Sequence, residues 1–156
     1  CREGECQYVV ALELEEMRVP EDIAALLRDY SAQGFDLLFG FAAQGDLKDS
    51  THVIAYAGQG GLGLPDRDYY LKDDADSKKL RDAYVMHVAR VLELVGTPHE
   101  DASKQAEAIM AIETRLANAS LTRLELRDPA KSYNVVSFVD ADKVTPHFSW
   151  EKFFYL

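Results

Sequence analysis

Residues 77–118 read SKKLRDAYVMHVARVLELVGTPHEDASKQAEAIMAIETRLAN, and this stretch decides the fold class. Leu80, Ala83, Tyr84, His87, Val88, Val91 and Val95 recur at helical spacing and line one side of a helix over 77–95. Asp76 is placed to cap that helix, and Gly96 ends it. Thr97-Pro98-His99-Glu100 then has the form of a capping box with proline at the first helical position. It opens a second helix to about residue 118, with Ala106, Ile109, Met110, Glu113, Leu116 and Ala117 on one side. So tight a break between two long striped helices predicts an antiparallel helical hairpin.

Upstream, residues 20–33 read as another helix. Pro20 suits the first helical position, and Glu21 and Asp22 complement the positive end of the helix dipole. Ile23, Leu26, Leu27 and Tyr30 form one apolar face, and Gly34 stops it. Residues 35–41 (FDLLFGF) are a short apolar run, read as a helical turn or a buried connection. Residues 51–57 (THVIAYA) are the one readable strand, rich in β-branched and aromatic residues and followed by glycines. The fold class is therefore mainly α, with one small β element near 51–57.

Downstream, Asp128-Pro129 caps a short turn through Tyr133, and Ser137 with Asp140 makes a weaker capping box. Ser149 precedes Trp150-Glu151-Lys152-Phe153-Phe154. An aromatic run so close to Leu156 reads as surface made for something else, which implies a chain cut from a larger protein.

Composition excludes several functions. The 156 residues carry 17 Lys+Arg against 27 Asp+Glu, a formal net charge of −10, which repels phosphate backbones and disfavours nucleic-acid binding. The densest basic stretch, Lys78, Lys79 and Arg81, lies among Asp73, Asp74, Asp76 and Asp82. No apolar run approaches the roughly 20 residues that span a bilayer. Cys1 and Cys6 are the only cysteines; they leave open whether they pair, and a four-thiolate zinc site is impossible.

Candidate chemistry fails piece by piece. Gly58-x-Gly60-x-x-Gly63 matches the dinucleotide fingerprint, but Leu64-Pro65-Asp66-Arg67-Asp68 follows where a helix should begin. His99-Glu100-Asp101-Ala102-Ser103 opens the zinc-protease pattern H-E-x-x-H but has Ser103 in place of the second histidine. His52, His87, His99 and His147 include no i, i+4 pair, and His87 reads as a core or boundary residue. No nucleophile elbow is present. The segment Leu62–Leu71 (LGLPDRDYYL) differs in kind. Pro65 fixes its backbone, Arg67 sits between two carboxylates, and Tyr69-Tyr70 have apolar bodies with polar tips. It reads as a loop pinned by an ion-pair knot.

GLGLPDRDYYL at 61–71 resembles the signature of the neprilysin and endothelin-converting-enzyme family of zinc metallopeptidases. In the family's order and spacing follow ETRLANASLTR at 113–123, RDPAKSYN at 127–134 and PHFSWEKF at 146–153. The resemblance covers about residues 51–154. It implies that 1–156 is a single segment of the family's N-terminal helical region, part of the wall of a chamber that admits peptides. It implies a parent zinc endopeptidase acting on oligopeptides, with zinc held by a C-terminal catalytic domain of the same protein. The sequence has no H-E-x-x-H, so the segment is expected to be inactive alone and to hold no zinc. No catalytic or metal residue is carried over. Pro65, Arg67, Asp68, Tyr69, Arg127, Asp128, Tyr133, Asn134 and Trp150 are motif positions whose expected role is architectural. Asn118-Ala119-Ser120 has the form of a glycosylation sequon but lies within a predicted helix. The family favours an extracytoplasmic setting. Exposed faces made for missing neighbours would let the isolated chain self-associate. The competing reading is a stand-alone acidic helical protein-interaction module.

Overall fold

The computed structural model describes residues 20–154; Cys1, Cys6, Tyr155 and Leu156 lie outside the described residues. In chain order the elements are α1 (Pro20–Ala32), β1 (Phe39–Gly45), β2 (Val53–Gln59), α2 (Asp68–Leu71), α3 (Ala75–Leu94) and α4 (His99–Ala119). A 3-10 turn (Glu125–Arg127), α5 (Pro129–Ser132), α6 (Phe138–Val144) and α7 (Trp150–Phe154) complete them. The fold is mainly α with a small two-stranded antiparallel sheet. The chain divides into one unit of Cys1–Ala57 with Asn134–Leu156 and another of Gly58–Tyr133.

In the second unit, α3 and α4 pack along each other as the expected hairpin. The cap of α3 is Asp74, not Asp76. Asp74 has extended backbone, and its carboxylate accepts from both the Ser77 N–H and the Ser77 hydroxyl at 2.8 Å. Gly96 ends α3 with φ +102°; Thr97 N–H donates to the Leu92 carbonyl and Gly96 N–H to that of Glu93. That paired closure needs a left-handed residue, which glycine supplies without strain.

The start of α4 differs from the expected capping box. Pro98 is the N-cap, one residue later than read, and no side chain caps it. Glu100 does not reach back to the cap, because Lys104 one turn on pairs with it at 2.9 Å. Ala102, Ala106 and Ala117 are the buried positions of α4.

The face of α3 is also turned from the expected line. Arg81, Tyr84, Val85, Val88, Ala89 and Leu92 are half-buried, whereas Leu80, His87, Val91 and Val95 are exposed. Polar anchors decide the rotation. Arg81 donates to the carbonyls of Tyr69 and Lys72, and Tyr84 to Glu113 of α4.

In the first unit, the run at 35–41, read as a helical turn or a buried connection, instead leads into β1, which pairs with β2. Phe39 and Phe41, two residues apart, face the same way, as strand geometry requires. Their rings meet Phe148, Trp150, Phe153 and Phe154 at centroid separations of 5.3–5.6 Å. Ala24 and Leu27 of α1 close the same cluster. The aromatic tail is therefore core for its own unit: Phe153 is 4% exposed, and Trp150 is fixed by its indole N–H to Thr145 Oγ1 at 2.8 Å. The expectation that these rings lie bare on the surface is corrected.

Candidate functional site

The motif at 61–71 is held by a carboxylate at the hairpin's centre. Glu113 on α4 accepts from the Tyr70 hydroxyl at 2.5 Å and from the Tyr84 hydroxyl at 3.0 Å. The Tyr70 oxygen in turn accepts from the buried Leu64 N–H at 2.8 Å. One carboxylate thus ties the loop, α2, α3 and α4 through a continuous hydrogen-bonded chain. Burial first, then Glu113, raises the pKa of both phenols: Tyr84 to about 12, and Tyr70 further above its usual range. Both hydroxyls hold their protons and act as donors at neutral pH.

Space is as constrained as charge. A Cβ on Gly63 would lie 1.9 Å from Tyr84 Oη and 2.8 Å from its Cζ. Gly63 is required for room, whereas Gly61 sits in the left-handed region at φ +74°. Leu64, Tyr70 and Ala117 are buried beneath, with Leu62, Tyr69, Leu71, Tyr84 and Met110 packed on them.

The expected ion-pair knot is arranged otherwise. Arg67 forms no ion pair among the described residues; its Nε donates to the Ala117 carbonyl at 3.2 Å, at the C-terminal end of α4. That end has no basic residue of its own, so Arg67 supplies the cation its dipole favours. The carboxylates on either side pair elsewhere, Asp66 with Arg123 at 2.8 Å and Asp68 with Lys72 at 3.1 Å. Gln59 mimics a strand partner for Leu121: its side-chain N–H donates to the Leu121 carbonyl and its oxygen accepts the Leu121 N–H. A cleft of about 290 Å³ opens between Gln59–Arg67 and Ser120–Leu126, with Pro65 on its wall.

The other motif residues take no part in this hydrogen-bonded chain. Asp128 caps α5, accepting from the Ala130 N–H at 3.0 Å, and Tyr133 N–H donates to the Pro129 carbonyl. Arg127 closes the 3-10 turn. Asn134 and Trp150 belong to the first unit. Glu113, Tyr84 and Arg81 were not singled out as site residues; the only signal was Glu113 on an otherwise apolar face.

The donor set for zinc does not fit here. Among the described residues, no three His, Cys, Asp or Glu side chains gather as metal ligands. His52 pairs with Asp49 in the exposed hairpin turn, and His99 with Glu93. His87 is exposed rather than a core residue. Among the described residues, no helix is long and apolar enough to cross a membrane.

The family model Peptidase_M13_N (Peptidase family M13) matches residues 8–156. The chain belongs to peptidase family M13. Human endothelin-converting enzyme-like 1 is 34% identical over 78% of the M13 chain, and Drosophila melanogaster neprilysin-3 is 28% identical over 80%. The M13 chain spans 16% of either relative's length. Zinc metalloprotease Zmp1 of Mycobacterium tuberculosis, solved with an inhibitor, superposes with a TM-score of 0.86 at 30% identity, over 95% of this chain and 23% of Zmp1. PepO from Lactobacillus rhamnosis shares the fold at a TM-score of 0.72 and 20% identity, over 88% of this chain and 22% of PepO. The neprilysin and endothelin-converting-enzyme resemblance is thus the right one.

Proposed function

We propose that this chain, as one segment over 1–156, builds part of the helical wall of the peptide chamber in an M13 zinc endopeptidase. The parent protein hydrolyses peptide bonds in oligopeptides. Its zinc sits in a C-terminal catalytic domain of the same polypeptide, and the segment alone is inactive. The observation that carries this reading is the match of the M13 N-terminal model to residues 8–156. The fold shared with a zinc metalloprotease over 95% of the chain supports it.

In this reading Pro65, Arg67, Asp68, Tyr69, Arg127, Asp128, Tyr133, Asn134 and Trp150 are architectural. The bonds that support it end on backbone or on neighbouring helices: Arg67 on Ala117, the Tyr69 carbonyl on Arg81, Asp128 on Ala130, Trp150 on Thr145. A wall must stay rigid while its neighbours move, and such side-chain-to-backbone ties supply rigidity.

The test is to read the coding sequence past Leu156 and express the whole product. The frame is expected to reach H-E-x-x-H and a downstream glutamate, and the product to cleave short peptides in a zinc-dependent, chelator-reversible manner. A frame that continues without H-E-x-x-H refutes the proposal.

A further inference from the structure

Helix α3 carries more apolar surface than its packing in this chain uses. Tyr84, Val85, Val88 and Leu92 form its half-buried side, and α4 packs along it. A second apolar line runs beside that one. Leu80, Ala83, His87, Val91 and Leu94 recur at i, i+3, i+7, i+11 and i+14, a line about 21 Å long on one side of the helix. All five are exposed, Leu94 at 76%, and Val95 extends the line. From residue 82 onward the charged side chains, Asp82, Arg90 and Glu93, share one narrow strip with Met86. A surface helix has one apolar stripe; a helix that is apolar on two sides belongs to the interior of a larger protein.

We propose that this second line is an internal interface of the parent enzyme, covered by a helix from the part of the same M13 polypeptide that lies outside residues 1–156. The inference rests on the reading of this chain as one segment of a longer M13 protein. Zmp1 shares the fold over 95% of this chain but gives only 23% of its own length to it, so most of an M13 enzyme is left to pack against these helices. A helix suits the line because it satisfies its own backbone groups, whereas a loop laid on apolar side chains leaves N–H and C=O groups unpaired. The Leu, Val and Ala side chains of α3 supply the ridges against which a second helix packs, at an axial separation of about 8–10 Å. His87, midway along, calls for one hydrogen-bonding side chain on an otherwise apolar partner face. A second copy of this chain fits less well: packed antiparallel, it would set His87 against its own counterpart, a pairing that turns repulsive when both are protonated.

Maleimide labelling of Val91→Cys and Leu94→Cys tests this, with Met86→Cys on the charged strip as the control. All three positions are exposed, so the substitutions leave the fold intact. Each is made in the 156-residue chain and in the whole product of the coding sequence, and the labelled peptide is read by mass spectrometry. In the chain, at a concentration where sedimentation shows a monomer, all three are expected to label fast. In the whole product, positions 91 and 94 are expected to label about tenfold or more slowly, because a buried thiol is inert, while position 86 is unchanged. Fast labelling at 91 and 94 in a product that contains H-E-x-x-H and cleaves peptides overturns the interface and leaves the segment reading standing. A frame without H-E-x-x-H refutes the segment reading itself, and the occupant falls with it. Labelling that slows in the isolated chain as its concentration rises, but stays fast in the whole product, assigns the line to a second copy and overturns the proposal. Slow labelling in the monomeric chain shows the line already covered and overturns it as well.

Discussion

Replacing Gly63 by alanine tests whether the motif loop is held by contact with the hairpin. The new methyl would sit 1.9 Å from Tyr84 Oη and 2.8 Å from Cζ, so the ring must swing away. Swinging it breaks the 3.0 Å bond to Glu113. A charge-assisted hydrogen bond contributes about 1.5–3 kcal/mol. This one is only partly buried, so the lower end applies. Overpacking adds about 1–3 kcal/mol. Gly63→Ala is therefore expected to destabilise by about 2.5–4.5 kcal/mol. At this chain length that lowers the melting midpoint by about 8–14 °C. Tyr84→Phe should cost about 1–1.5 kcal/mol. Both changes remove the same bond, so the double variant should fall short of additivity by about 1 kcal/mol. Urea unfolding followed by far-ultraviolet circular dichroism measures all three, at a concentration where sedimentation shows one species. A Gly63→Ala effect under about 0.5 kcal/mol, or strict additivity, refutes the reasoning.

Tyr70→Phe leaves the buried Leu64 N–H without its acceptor and should cost about 2–3 kcal/mol in the same assay; an unchanged midpoint contradicts the role of that hydroxyl. Tyr84 titrates at about 12 in the fold against 10.0 when unfolded, so its contribution is complete below pH 10 and is lost as pH rises towards 12; Tyr84→Phe should flatten that alkaline decline of the melting midpoint. Lys131 first, then the Thr122 N–H and hydroxyl, hold Glu125 down to about 2, so its carbon-13 carboxyl resonance should titrate there and move upward in Lys131→Ala. Asp74→Ala removes the cap of α3 and should cost about 1 kcal/mol, while Asp76→Ala should cost less. Leu94, Leu124 and Val139 are each more than 75% exposed, so the isolated chain should elute larger with rising concentration in size-exclusion chromatography; a monomer throughout contradicts that.

The hairpin was legible because its punctuation is local. Gly96, and the apolar stripe from Ala106 to Ala117, state two helices without reference to anything distant. What escaped was decided by partners far away in sequence. The first strand shows only Phe39 and Phe41 in alternation, then AAQG, and its rings find their purpose more than 100 residues later in Phe148–Phe154. The cap of α3 was read as Asp76, and Ser77 moves it to Asp74 by bonding that carboxylate twice. The rotation of α3 follows from Arg81 and Tyr84, whose acceptors lie on other elements. The site was half legible. Tyr70 and Glu113 were each visible, but nothing local joins residues 43 apart. Flanking carboxylates suggested ion pairs for Arg67, yet the open C-terminal end of α4 claims it instead.

The most direct test of the chamber-wall account is peptide hydrolysis by the purified chain with added zinc, with and without chelator, using a quenched fluorescent peptide. The account expects no cleavage above the buffer rate and no zinc retained after dialysis. Cleavage that stops with chelator and returns with zinc would contradict it.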